Sequence, residues 1–102
     1  MKTIVATDLH IQETLPVRTV MAIYKEIKQW GGDVYLVQNR RMVSGNSLTK
    51  LLTFLMTTNS NTPIKLIVEG SNAQHMNQQL KDLFEKKGKT LEASTHLELV
   101  QQ

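Results

Sequence analysis

The chain has 102 residues, 40% of them hydrophobic and 21% charged, with a formal net charge of +3; that is the size of one domain, long enough to bury a core without staples. It contains no cysteine, which excludes disulfides, thiol catalysis and cysteine-based zinc sites. Basic residues are spread along the chain, with small clusters at Arg40-Arg41 and Lys86-Lys87-Lys89, and aromatics are few, so no nucleic-acid partner is expected of a chain lacking a stacking platform beside a basic patch.

The opening residues reach Asp8 too soon for the apolar segment of a secretory signal. Residues 2 to 9, which alternate loosely and carry Ile4 and Val5, instead suit a first strand. Pro16 then opens a helix, where its missing N–H costs nothing because the first donors of a helix lack partners anyway. Val17, Val20, Tyr24 and Ile27 recur at helical spacing, with Met21, Ile23 and Trp30 beside them. Gly31-Gly32 stops that helix. Asp33 to Val37 reads as a second strand, Asn39-Arg40-Arg41 as a turn, and Met42-Val43-Ser44 as the start of a third strand.

Ser47 caps a short helix from Leu48 to about Met56, with Leu48, Leu51, Leu52 and Leu55 as its apolar side. Thr57 to Pro63 is a polar loop, and Ile64 to Glu69 is a fourth strand ended by Gly70. Asn72 begins a last helix with Met76, Leu80, Leu83 and Phe84 in register, ended by Gly88. No apolar run approaches the roughly 20 residues that span a bilayer, so a cytoplasmic protein without membrane insertion is expected. The order βαββαβα favours an α+β layer fold with the helices on one face. It divides the chain into one domain over residues 1–88 and a C-terminal extension over 89–102.

Several local runs resemble one family. Thr14-Leu15-Pro16-Val17-Arg18-Thr19 resembles the active-site turn Gly-Leu-His-x-Arg-Pro of HPr, the phosphocarrier of bacterial sugar phosphotransferase systems. Asn46-Ser47-Leu48-Thr49-Lys50-Leu51 is similar to the segment that opens the second helix of that family. Val68-Glu69-Gly70 is similar to its Ala-Glu-Gly, and Leu80-Lys81-Asp82-Leu83 to its closing Leu-x-x-Leu. The spacing from Arg18 to Ser47 fits without a gap, two extra residues precede Ile64, and the resemblance covers about residues 1–87. It implies an HPr-like open-faced sandwich: a four-stranded antiparallel sheet with three helices on one face.

The departures bear on function. Pro16 stands at the phosphoacceptor position, where the family has His, and proline has no nitrogen that can hold a phosphoryl group. Thr14 replaces Gly, Thr19 replaces Pro, and Leu55 stands where the second helix usually has Gly. The resemblance implies a protein of the phosphoenolpyruvate-dependent sugar phosphotransferase or catabolite-control pathway that carries no phosphate on histidine, is not an enzyme, and acts by binding partner proteins. Val17, Arg18 and the helix end would supply an anion-friendly or partner-binding pocket.

Each candidate residue has a plainer explanation beside it. His10 follows Leu9 and copies the Leu-His pair, so a functional phosphocarrier using His10 is one alternative; it would leave Pro16 inside a helix, at a cost of about 3 kcal/mol or more. Ser47 takes the place of the family's regulatory serine, whereas a plain N-cap explains it equally. Leu48, Leu51, Leu52, Leu55 and Met56, with Phe54, are more apolar than one buried stripe needs, which suggests a partner-docking face. His75 and His96 have no partner at ligand spacing, so no metal site or cofactor is expected. Leu97 and Leu99 alternate with His96 and Glu98, which suits an extra strand, a homodimer contact or a frayed terminus. A third reading is therefore an oligomerising structural protein.

Overall fold

Ile64, Leu66 and Val68 alternate with Lys65, Ile67 and Glu69, and that period of two makes a strand with one apolar face. The computed structural model, which describes residues 3–11, 13–58 and 61–85, sets this strand inside the sheet. Its elements are β1 (Thr3–Leu9), α1 (Val17–Trp30), β2 (Asp33–Gln38), β3 (Arg41–Ser44), α2 (Leu48–Met56), β4 (Ile64–Gly70) and α3 (Ala73–Glu85). The sheet order is β1-β4-β2-β3, and every pairing is antiparallel. The expected α+β open-faced sandwich is observed.

Register decides which residues meet. Val68 lies between Val5 and Val34, and Leu66 between Thr7 and Leu36, while Leu36 also faces Val43. One face of the sheet thus gathers apolar side chains from all four strands. The helices close over it with Val20, Ile23 and Ile27 of α1, Leu51, Phe54 and Leu55 of α2, and Met76, Leu80 and Phe84 of α3, all buried. Each such side chain is worth about 1.5–3 kcal/mol when fully removed from water. Two buried polar side chains, Gln38 and Asn77, interrupt this core among the described residues; Gln38 Nε2 donates to the Thr62 carbonyl at 2.8 Å, and Thr7 Oγ1 donates to Asn77 Oδ1 at 3.1 Å, tying β1 to α3.

Four details differ from the sequence reading. The turn between β2 and β3 is only Asn39-Arg40, because Asn39 takes the left-handed conformation (φ 58°) and Arg41 already pairs with Gln38. Pro16 sits one position before α1 rather than in its first turn. Asn72 likewise precedes α3, at φ 59°. On α1 the buried line is Val20, Ile23 and Ile27, so Val17 and Met21, which the spacing placed on or beside the apolar stripe, are 57% and 43% exposed. Gly88 and the extension 89–102, with its suggested strand and homodimer contact, lie outside the described residues.

The two glycines after α1 do different work. Gly31 is left-handed (φ 85°) and its N–H donates to the Ile27 carbonyl at 3.2 Å, closing the helix. Gly32 instead makes room. A β-carbon there would collide with the Trp30 ring and lie 2.8 Å from the Glu69 carbonyl, and one at Gly70 would meet the same ring at 2.9 Å. Trp30 Nε1 donates to the Ser71 carbonyl at 3.0 Å, so the indole locks the end of α1 onto the end of β4. Gly32→Ala is expected to cost about 1–3 kcal/mol, as overpacking does; a lowered urea midpoint with unchanged slope would show it, and an unchanged midpoint would refute the packing role.

Candidate functional site

The N-terminus of α1 is built from its approach. Leu15 packs against the core and anchors the incoming chain. Pro16 follows at φ −63° and ψ 149°, an extended conformation at the N-cap position, and contributes no side-chain cap. Its carbonyl accepts from Thr19 N–H at 3.0 Å and Val20 N–H at 3.2 Å. Val17 and Arg18 therefore hold the first N–H groups of the helix, which have no carbonyl one turn back to receive them. No acidic residue lies in the first turn, and Pro16, Val17 and Arg18 are all exposed. Oriented N–H groups, the positive end of a helix dipole and a guanidinium thus share one surface. That surface can attract an anion; it carries no imidazole, thiol or carboxylate.

His10 is placed differently. It is exposed just after β1, and its backbone N–H donates to Glu85 Oε2 at 2.9 Å. Lys81 reinforces the tie, donating to the Asp8 carbonyl at 3.0 Å and lying 3.7 Å from Glu85 Oε2. The backbone at His10 is fastened to the end of α3, and the residue capping α1 is Pro16.

Ser47 is the N-cap of α2, with φ −122° and ψ 116°. Its side-chain oxygen accepts from Lys50 N–H at 3.3 Å and its carbonyl from Leu51 N–H at 3.0 Å. Ser47 is half-buried, and no acidic side chain lies in the first turn of this helix.

The expected docking leucines divide in two. Leu51 and Leu55 are 0% and 8% exposed; they belong to the core and are withdrawn from the contact set, because the helix turns them toward the sheet. Leu48 and Leu52 are half-buried, and Met56 is 70% exposed. These three recur every four residues, so one row along α2 borders solvent. On α1, which packs against α2, Val17 and Met21 form a second exposed pair at the same spacing. Sequence reading missed that pair because a helical period fixes the width of an apolar stripe better than its centre. Among the described residues no three His, Asp or Glu side chains gather into a metal site, and no helix is long and apolar enough to cross a membrane.

No family model matches the chain, and no curated protein matches it either. Solved structures do. A phosphocarrier protein HPr from Bacillus anthracis str. Ames superposes with a TM-score of 0.63 at 14% identity, over 82% of this chain and 98% of that one. Crh, the Bacillus subtilis catabolite-repression protein, described as a swapped-domain intertwined dimer, superposes with a TM-score of 0.59 at 19% identity, over 76% of this chain and 87% of that one. The chain has the HPr-like fold.

In this HPr-like scaffold the capping role of Ser47 is separable from any modification. Ser47→Ala is expected to cost about 0.5–2 kcal/mol, and Ser47→Asp, which keeps a cap acceptor, to cost less. Thermal or urea unfolding of the two variants measures this; equal losses would show that the hydroxyl does not act as a cap.

Proposed function

We propose that this protein is a regulatory, partner-binding member of the sugar phosphotransferase or catabolite-control system that does not carry phosphate on histidine. One observation carries the reading: on an HPr-like fold, the residue at the N-cap of α1 is Pro16. In the turn that the sequence resembles, the phosphoacceptor His stands there. The helix end still offers free N–H groups and Arg18, which suit a phosphorylated or acidic group on a partner. What it lacks is an imidazole at the cap position to accept the phosphoryl group. The protein would work in the cytoplasm, where phosphoenolpyruvate and its sugar-phosphorylating partners meet.

Two surfaces support a binding role. The rows Val17-Met21 and Leu48-Leu52-Met56 leave apolar area open on two helices that pack together, and such area at a polar rim usually marks a protein interface. Ser47 is a candidate for phosphorylation by the pathway's serine kinase. A phosphoryl group there would place about −1.5 to −2 charges at the N-terminus of α2, which favours negative charge.

Incubation with phosphoenolpyruvate and the first enzyme of the pathway, followed by intact-mass measurement, tests the reading. No gain of a phosphoryl mass is expected while an authentic HPr in the same tube is fully converted. A gain that disappears in His10→Ala would instead establish a carrier using His10. A mass gain with the serine kinase, absent in Ser47→Ala, is the expected mark of the regulatory form, and its absence would remove Ser47 from the proposal.

A further inference from the structure

From Val34 to Val68 the chain contains no Asp or Glu, although nine acidic residues occur in all. This acid-free stretch holds all of β3 and α2, so the sheet edge at β3 and the helix beside it carry basic side chains and no acidic ones. Between β3 and α2 it forms an open cleft of about 590 Å³, rimmed by Arg40, Arg41 and Lys50 and floored by Val43 and Phe54. Thr49 and Thr53 add hydroxyls from α2. We propose that this cleft is a docking groove for an extended acidic segment of a protein partner.

Three features point to that occupant. First, the charges are uncompensated. Among the described residues ion pairs form only at Lys65–Asp8 and Lys81–Glu85. The residues three and four positions from Lys50 are Asn46, Ser47, Thr53 and Phe54, none of them acidic. Second, Arg41 is already ordered. Its guanidinium lies 4.7 Å from the centre of the Phe54 ring, and Nη1 donates to the Thr57 carbonyl at 3.0 Å. Nη2 donates to the Thr57 hydroxyl. A fixed guanidinium loses less freedom when it binds a carboxylate, and its remaining N–H groups are still free to do so.

Third, among the described residues the cleft runs along a free strand edge. There β3 is the last strand of the sheet and pairs with β2 alone, and Met42 on it is 66% exposed. An extended chain can add to such an edge through main-chain hydrogen bonds while its side chains reach the rim. Charges on an edge strand also deter unwanted pairing. That need is met by Arg40 and Arg41 alone and leaves Lys50, on the facing helix, unexplained. The open shape favours an extended segment over an enclosed small molecule, and the carboxylate-binding rim favours Asp and Glu. This groove is separate from the N-terminus of α1, so it stands whatever becomes of the phosphate chemistry.

The test is titration of the 15N-labelled full chain with an end-blocked hexaglutamate peptide at low salt. Amide shifts are expected at Arg40 to Val43 and Thr49 to Phe54. Affinity should fall roughly tenfold in Arg40→Glu and in Lys50→Glu, each an exposed side chain whose reversal leaves the core intact, and should weaken steeply as salt is added. Lys25→Glu, an exposed change on α1, should bind as the unaltered protein does. Shifts scattered over all surface lysines, or equal losses in Lys25→Glu, would overturn the proposal. So would tighter binding of a hexathymidylate to the same residues, which would assign the groove to nucleic acid.

Discussion

Everything in this molecule hangs on β4. It is flanked on both sides, by β1 and β2, and its alternate residues Ile64, Leu66 and Val68 are almost completely removed from water. Antiparallel pairing on both edges fixes their register against Val5, Leu9, Val34 and Leu36, and a slip of one residue would turn all of these outward. That pairing gives the helices a surface to cover. Trp30 then sets where α1 must end, because its ring fits only over Gly32 and Gly70.

With α1 fixed at both ends, its N-terminus becomes a defined feature rather than a fraying one. Leu15 holds the chain from below, and Pro16 sets the backbone angle at which the helix begins. The start of α1 presents backbone donors and a guanidinium to solvent. In the proposed reading the scaffold has the electrostatics of anion binding without the chemistry of transfer. These are independent properties, since one resides in backbone direction and the other in a single side chain.

Most of the fold was legible because the strands alternate cleanly and the helices carry apolar residues at turn spacing. Pro16, Gly31 and Ser47 marked helix ends through known backbone preferences, and the structure puts them within one residue of those roles. The second job of Gly32 was hidden, because nothing local to it shows that Trp30 will fold back over it. Val17 was placed on the apolar stripe and Met21 beside it, and their exposure was hidden for a related reason: which side of α1 faces the sheet depends on α2 and α3. The cationic cleft joins a hairpin turn to a later helix, so Arg40, Arg41 and Lys50 become one feature only after β3 and α2 meet. Of the site, the residue types were readable; their exposure was not, as Leu51 and Leu55 show.

The central claim is that the α1 end lacks a nucleophile and little else. The most direct measurement is uptake of acid-labile radiolabelled phosphate from the phosphorylated first enzyme by the natural protein and by Pro16→His, side by side. The expected result is no label on the natural protein and label on Pro16→His. Label on the natural protein would contradict the claim, and so would a folded Pro16→His that stays unlabelled.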